Sequence, residues 1–506
     1  MEKKTVIVGA GLGGLFCGAI LAKEGWPVLV LEKHHVAGGG LHTFKRNGQW
    51  FETGMHYVTG FEEGGALQRL CTYLGIMDKI EFSPLNPDAF DILRIGSQNT
   101  DYCFPLGEAS FTQRLCAYFP HQREQIEAYM RDLVAMTDPV DMLWLRPSDH
   151  SVRYEQGRGL EPLETFMESY FSDPKLMSIL LWNSALYGGR RNSSPAFLHA
   201  IISRFFIKGA TRFAFGSQQL ADALVALIHA HGGEVRVKAE VCKAELDHTK
   251  RMTAVQIVSG ERIEGEYFIS TVHPEVSLGW FPESAFSKAF CDRMKAQKHT
   301  DSTFSLFFTL KPEKFPFFNS NVFWAADYED VCRPPVWEAS GPRTIMATTP
   351  PMGKEGIFAR SLKITAPISS FPFNRWKGTV SGARGNDYEL CKQRYTELLC
   401  KSATTLFPNL PSAVETLFSA TPLTYQTYSG SVDGSNYGFF KDCRDYHFSR
   451  LLPRTKIPNF FFSGQNLNMH GILGVPISAV ITCGELVGLS QLLQKIDNDG
   501  ISHYIS

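Results

Sequence analysis

The feature that most constrains the fold is a short apolar strand near the start of the chain that runs directly into a glycine-rich turn. Thr5–Val8 is a β-branched apolar run, and residues 9–14 match the pattern G-x-G-x-x-G. A helical stretch then ends near Gly25, and a second apolar run, Val28–Leu31, ends at Glu32. This order predicts a Rossmann-type βαβ unit, in which the N-terminus of the helix faces the phosphates of a dinucleotide.

The glycines and the acid have distinct physical roles in such a unit. Gly9 permits the tight turn, Gly11 lets the backbone approach a pyrophosphate, and Gly14 allows the helix to pack closely. Glu32 is positioned to accept hydrogen bonds from the adenosine ribose, and its charge disfavours a 2′-phosphate. We therefore predict dinucleotide contacts at Gly9, Ala10, Gly11, Gly13, Gly14 and Glu32. The alternative is an α/β turn that binds no nucleotide.

Charge and cysteine content limit the partners and the compartment. The 506 residues include 50 Lys+Arg and 51 Asp+Glu, so no positive field attracts a phosphate polymer, and we expect no nucleic-acid partner. The 11 cysteines are scattered singly, which is typical of reduced thiols. Glycines interrupt the apolar stretch 6–22, so we predict neither a signal peptide nor a transmembrane helix. The expected location is cytoplasmic, with peripheral contact to one membrane surface left open.

The residues after Glu32 indicate which dinucleotide is bound. Gly38, Gly39 and Gly40 cannot sustain the helix that a nicotinamide-binding unit would normally continue into, so the chain must turn there. The stretch FETGMHYVTG follows at 51–60. In these residues the sequence resembles the flavin amine oxidase-like superfamily, in which a glycine pair after the ribose-binding acid lies along FAD. The stretch GMHYVTG resembles the group that contains phytoene desaturases, carotenoid cis-trans isomerases and retinol saturases.

The resemblance implies a fold and a set of cofactor contacts. The fold class is α/β plus α+β: a Rossmann-type, amine-oxidase-like FAD-binding domain with an interleaved substrate domain. FAD is the implied cofactor, and the electron donor stays open, with NAD(P)H as one candidate. The further FAD contacts implied near the N-terminus are Lys33, Gly39, Gly40, Thr43, Gly54, Met55 and His56.

Two later segments also match the family. The pattern predicts a helix after Ser217 as N-cap, a stop at Gly232, and an alternating strand over 234–241. The counterpart of Val241 contacts the adenine side through its backbone in the family, although the pattern fits an ordinary strand residue equally well. Residues 421–424 and 434–438 match short motifs of the desaturase and saturase group.

Near the C-terminus, a strand over 459–463 precedes Gly464 and Gln465, and a last helix is predicted from Gly471 to about Lys495, with a proline near its first position. By resemblance, Gly464 and Gln465 meet the ribityl and pyrophosphate groups, and the helix, with Gly474 and Val475, points at the flavin ring. Many relatives carry an acid in place of Gln465, so the usual carboxylate contact is in doubt. The implied domains are 1–80, 216–275 and 451–506 for FAD, and 81–215 and 276–450 for the substrate.

The residues supply no other chemistry. H-E-x-x-H and G-x-S-x-G are absent, so we predict no metal site and no serine nucleophile, and the chemistry belongs to the cofactor. The resemblance implies an FAD-dependent oxidoreductase acting on carbon-carbon double bonds of a long apolar polyene or isoprenoid lipid, with retinol-saturase-like reduction favoured. Desaturation and redox-neutral isomerisation are alternatives, and a redox-inactive prenyl-lipid carrier is the alternative of another class.

Two residue-level hypotheses follow. If residues 54–57 alternate as in a strand, His56 shares a face with Gly54 and could orient the substrate or deliver a proton; the alternative is a structural histidine. The aromatic residues at 315–318 and Trp324 could form an apolar lip on a membrane leaflet, or they could fill a core.

Overall fold

The computed structural model describes residues 4–96, 100–148, 157–351 and 356–502. The strands are β1 Thr5–Val8, β2 Val28–Leu31, β3 Thr43–Arg46, β4 Gln49–Glu52, β5 Phe82–Pro84, β6 Asp91–Ile95, β7 Thr100–Phe104, β8 Thr211–Phe213, β9 Glu234–Arg236, β10 Val241–Leu246, β11 Met252–Ile257, β12 Arg262–Glu264, β13 Tyr267–Ser270, β14 Ser302–Leu310, β15 Asn321–Ala325, β16 Trp337–Glu338, β17 Gly341–Pro342, β18 Thr344–Thr348, β19 Ser361–Ile368, β20 Val414–Ala420 and β21 Phe460–Phe462.

The helices are α1 Leu12–Lys23, α2 Ala66–Leu74, α3 Glu108–Tyr118, α4 Arg123–Thr137, α5 Leu163–Glu168, α6 Pro174–Leu180, α7 Ala196–Gly209, α8 Gln218–Ala230, α9 Pro274–Leu278, α10 Lys288–Lys295, α11 Asn386–Leu406, α12 Leu410–Ala413, α13 Pro422–Ser429, α14 Tyr446–Ser449, α15 Gly471–Val487 and α16 Leu489–Ser502.

A parallel sheet of five strands, ordered β21-β13-β1-β2-β9, carries the N-terminal βαβ unit. Strands β1 and β2 are buried throughout, as expected for a parallel sheet covered on both faces. The strands come from parts of the chain that are far apart in sequence, and α15 packs against α1. The predicted Rossmann-type fold is confirmed. The domain boundaries themselves stay a prediction.

A second sheet of seven strands, ordered β20-β14-β19-β18-β15-β6-β7, is mainly antiparallel. Its central strands β14 and β19 are almost completely buried. Helix α11 packs on this sheet, and the two elements share an apolar core. Burial on both sides makes this sheet a rigid wall, and the C-terminal part of the hairpin β3–β4 rests against β19.

The first turn depends on two glycines in contact with each other. Gly9 has φ +99°, a left-handed conformation that glycine adopts without strain. A Cβ atom placed on Gly14 would lie 1.8 Å from the carbonyl oxygen of Gly9, so the helix can start this close to the strand only with glycine at that position. The role predicted for Gly14 is therefore supported by the packing.

Several local predictions were wrong. Ser217 does not cap α8 with its side chain; its hydroxyl donates to Leu41 O and to Glu52 instead. The strand expected over 234–241 ends at Arg236, since Lys238 has a positive φ. The last helix is broken at Gly488, which has φ +89°.

The position predicted for Pro476 is also wrong, because this proline lies inside α15 and not near the first residue of that helix. Residues 53–56 form bends after β4 ends, so the strand alternation expected for 54–57 does not exist.

The prediction of an aromatic lip is also wrong for Phe315 and Trp324. Phe315 and Trp324 are 3% and 6% exposed and belong to the core between the seven-stranded sheet and α11, while Phe317 and Phe318 pack against that core. Within the part of the chain that the structure describes, no helix combines the length and the apolar character needed to cross a bilayer.

We expect Gly14→Ala to lower the unfolding free energy of the flavin-free protein by about 3 kcal/mol, since the new methyl group meets backbone that cannot move aside. Gly40→Ala is the matched control, because a Cβ atom there meets no atom within 4 Å. Its unfolding free energy should stay unchanged or rise by up to about 1 kcal/mol. Urea unfolding measures both, and equal losses in the two variants would contradict the packing argument.

Candidate functional site

A series of close backbone approaches leads from the first turn towards the interior. A Cβ atom on Gly39 would lie 3.0 Å from Gly11 Cα, and one on Gly54 would lie 3.0 Å from Gly40 O. Cβ atoms on Gly11 and Gly40 would instead meet no atom within 4 Å. We call Gly11, Gly39, Gly40 and Gly54 the glycine track. Two of its members border open space and the other two hold the segments together.

Glu32 is buried at the start of this track and is held by backbone donors. The N–H of Ala10 donates to Glu32 Oε2 at 2.8 Å, and the N–H of His34 donates to Oε1 at 2.9 Å. The carbonyl of Ala10 in turn accepts from the N–H of Gly38. Each carboxylate oxygen keeps a lone pair for a further donor, so the position still fits the ribose contact predicted for it.

The C-terminal residues predicted for the site meet the first turn. A Cβ atom on Gly13 would lie 3.2 Å from Gly464 Cα and 3.2 Å from Val475 Cγ1. Gly464 itself has φ +91°. These three residues are thus brought together. A Cβ atom on Gly474 would lie 2.5 Å from Met469 Cβ, so that glycine serves packing within the start of α15.

The remaining residues predicted to contact FAD are Lys33, Thr43, Val241 and Gln465. Lys33 is exposed beside Gly430, and Gln465 is half-buried after Gly464. Thr43 Oγ1 accepts the N–H of Gln218, so it positions α8. Val241 starts β10 and packs in one cluster with Leu31, and the nearby Ala239 N–H donates to Glu32 O, which brings this segment to the ribose end.

The motif at 434–438 has a packing role that the sequence does not reveal. A Cβ atom on Gly438 would lie 2.0 Å from Asn466 Oδ1, and one on Gly434 would lie 2.2 Å from Pro422 O. Tyr437 between them has its ring 4.5 Å from that of His470, the residue before α15. The motif therefore fixes the N-terminal end of α15.

The glycine track ends at a cavity between the end of β4, β8, β18 and β19. Met55, His56 and Tyr57 all line it, which the predicted alternation would not allow. The other lining residues come from β8, the end of β18 with the loop after it, β4 and β19: Glu52, Arg212, Phe213, Thr348, Pro350, Pro351 and Lys363. The lining therefore combines apolar side chains with the ionisable side chains of Glu52, Arg212 and Lys363.

Lys363 is the functional candidate that sequence analysis missed. Its Nζ donates to Glu52 O at 2.9 Å and to Thr53 O at 2.8 Å, and the side chain is buried in the centre of the seven-stranded sheet. Burial lowers the pKa of Lys363 to about 7. A lone lysine within the apolar run SLKITAPI is the signal that could have identified it, since lysine is almost never fully buried.

Burial also shifts the pKa values of two further ionisable groups in the cavity wall. Burial raises the pKa of Glu52 to about 7, opposed by the two hydrogen bonds from Ser217. Burial lowers the pKa of His56 well below its usual range, and the charges of Lys363 and Arg212 lower it further. His56 is therefore a neutral imidazole at pH 7.

Tyr57 connects the cavity to a buried polar network. Its hydroxyl donates to Asp91 Oδ2 at 3.0 Å, and that carboxylate also accepts from Trp182 Nε1 and Asn321 Nδ2. Burial raises the pKa of Asp91 to about 6. These bonds hold Tyr57 and its neighbour His56 in place, so this part of the wall is preorganised.

These residues fit an extended flavin dinucleotide. The N-terminus of α1 and the open space before Gly11 suit a pyrophosphate, Glu32 suits the ribose, and the track leads to the pocket lined by Met55 and Lys363. The sequence profile of the family described as "Flavin containing amine oxidoreductase" matches residues 12–315. The chain belongs to this family. It is a flavin-dependent oxidoreductase with FAD as its cofactor, as predicted.

Individual relatives agree with this assignment. All-trans-retinol 13,14-reductase of Homo sapiens is 27% identical in an alignment that covers 98% of this chain and 87% of that protein. Prolycopene isomerase of Arabidopsis thaliana is 25% identical over 53% of this chain and 46% of that protein. The crystal structure of an oxidoreductase from Methanosarcina mazei superposes with a TM-score of 0.65 at 15% identity, covering 94% and 98% of the two chains, and shows the shared fold.

We expect side chains at position 11 to remove FAD without disturbing the fold. Gly11 has an extended conformation that any residue adopts, and the space in front of it is open. Gly11→Ala should weaken FAD binding and Gly11→Val should abolish it, because the added atoms occupy the space for the phosphates. Flavin absorbance per chain and titration of the flavin-free protein measure the effect. Full flavin content in Gly11→Val would contradict this position for the pyrophosphate.

Proposed function

We propose that this protein uses FAD to reduce a carbon-carbon double bond of a long apolar polyene or isoprenoid lipid. The observation that carries the proposal is the similarity to the human all-trans-retinol 13,14-reductase over 98% of the chain. The similarity to a prolycopene isomerase supports the same class of substrate.

The cavity is suited to such a substrate. Met55, Phe213, Pro350 and Pro351 supply an apolar wall for a hydrocarbon chain. FAD, when reduced, supplies the hydride. Addition of hydride to one carbon of a double bond requires a proton at the other carbon, so the wall must also hold a proton donor.

Lys363 is the group that we assign to hold this proton, at Nζ. Its pKa of about 7 means that it is partly protonated at neutral pH and releases a proton readily. The two backbone carbonyls fix the position of Nζ in the cavity wall. His56, which sequence analysis proposed as the catalytic residue, is neutral and a weak acid in this environment, so we propose that it orients the substrate.

Product analysis tests the function. The FAD-loaded enzyme is reduced chemically without oxygen, mixed with retinoids, carotenoids and unsaturated lipids, and the products are identified by mass spectrometry. Reduction adds two hydrogen atoms per turnover and oxidises the flavin. A product of unchanged mass would show an isomerase, a product lacking two hydrogens after incubation of the oxidised enzyme would show a desaturase, and no product with any compound would favour a carrier.

The pH dependence of turnover tests the proton donor. A general acid acts in its protonated form, so single-turnover rates should be highest below about pH 7 and fall about tenfold per pH unit above it. Lys363→Met should keep FAD, lower the rate about 100-fold and abolish this fall. Lys311→Met, at an exposed lysine after β14, is the matched control and should behave as wild type.

His56→Ala separates the two roles. Its rate should also drop, by roughly 100-fold, but the fall above neutral pH should persist because Lys363 is still present. If turnover by His56→Ala lost the fall above neutral pH while turnover by Lys363→Met kept it, His56 would be the proton donor and Lys363 would orient the substrate.

A further inference from the structure

A cluster of three side chains that could bind a metal ion lies outside the cavity. His273 is the N-cap residue of α9, Glu275 lies in the first turn of that helix, and His299 lies just before β14. One ligand atom from each side chain lies within 4.8 Å of the other two. His299 Nε2 and Glu275 Oε1 are 3.2 Å apart, close to the separation of about 3.3 Å expected between two ligands of a tetrahedral zinc ion.

The same three side chains carry buried polar atoms without a hydrogen-bond partner. These atoms are His273 Nε2, Glu275 Oε1 and His299 Nε2. His273 is only 4% exposed, so water does not readily replace the missing partner. Glu275 Oε1 and His299 Nε2 contact each other at 3.2 Å, so the buried atom left without a polar partner is His273 Nε2, and leaving it so is costly unless something binds there.

Asp433 completes the arrangement behind His299. Its Oδ2 lies 3.8 Å from His299 Nδ1, and its other oxygen pairs with Lys377. A carboxylate at this nitrogen favours a proton on Nδ1 and leaves the lone pair on Nε2, the atom that lies 3.2 Å from Glu275 Oε1. Histidine ligands of metal ions are commonly oriented by an outer carboxylate in this way.

One backbone hydrogen bond orients the His273 ring beside Glu275. His273 Nδ1 accepts the N–H of Glu275 at 3.3 Å. Coordination through Nε2 would shift the ring proton to Nδ1, so one long hydrogen bond is exchanged for a coordinate bond.

We propose that His273, Glu275 and His299 bind one divalent first-row transition-metal ion, with Zn²⁺ as the reference case, and that Asp433 positions His299. Two imidazoles and one carboxylate leave a coordination position for water, and Glu275 provides access because its side chain is 26% exposed. The ion would connect the segment after β13 of the parallel sheet to the segment before β14 of the seven-stranded sheet. Sequence analysis predicted no metal site, because the ligands follow no recognised spacing.

Zinc titration of the FAD-loaded protein tests this proposal. After dialysis against EDTA, Zn²⁺ is titrated in competition with a chromogenic chelator, and thermal unfolding is followed with and without Zn²⁺. We expect one equivalent per chain that is lost in His273→Gln and in His299→Gln, together with a rise in the wild-type unfolding temperature that both variants lack. Asp433→Asn should weaken binding about 10-fold or more. His121→Gln, at an exposed histidine elsewhere, is the control and should bind as wild type.

Folding of the variants is checked by flavin content and by the unfolding temperature in EDTA. If a histidine variant loses its flavin, Glu275→Gln replaces it, since that side chain is partly exposed and its substitution leaves the core intact. Absence of tight Zn²⁺ binding in the wild type would overturn the proposal. It would also be overturned if the folded variants bound Zn²⁺ as well as the wild type does.

Discussion

Close approach of one backbone segment to another, permitted by glycine, is the constraint on which the rest of the site depends. Gly14 rests on the carbonyl of Gly9, Gly39 on Gly11, and Gly54 on the carbonyl of Gly40. A side chain at Gly14 would separate the helix from the strand, and one at Gly39 or Gly54 would push apart the segments that lead to the cavity. The same contacts leave Gly11 and Gly40 facing open space. The packing of the protein and the space for its cofactor therefore have a common origin.

The end of the glycine track places ionisable groups where water is scarce. Lys363, Glu52 and His56 come from different segments of the chain. Burial shifts the pKa of each in the direction that favours the neutral form of that side chain. A lysine with a pKa near 7 can both keep and release a proton at neutral pH. The Asp91 network holds Tyr57 in place. The cavity thus has apolar side chains beside a positioned lysine, an arrangement that suits proton transfer to a hydrocarbon chain.

The sequence predicts well what depends on local pattern. Strands β1 and β2 lie where the apolar runs place them, and the family motifs identified both the fold and FAD. It predicts poorly what depends on tertiary context. Residues 54–57 look like a strand, but they bend because β3 and β4 form a hairpin that ends at Glu52 and Gly54 then packs on Gly40. Ser217 has the composition of a cap, but the buried Glu52 captures its hydroxyl.

Lys363 and the cluster around His273 escaped prediction because each is assembled from distant segments. The contacts of the other predicted FAD residues, including Lys33 and Gln465, stay predictions. A crystal structure of the FAD-loaded protein would show whether the glycine track and the cavity beside Lys363 hold the cofactor. We expect the pyrophosphate against Gly11, the dinucleotide along Gly39 and Gly40, and the flavin ring at the cavity beside Met55 and Lys363. A flavin ring bound away from that cavity, with Lys363 far from it, would show that the glycine track does not lead to the reaction site.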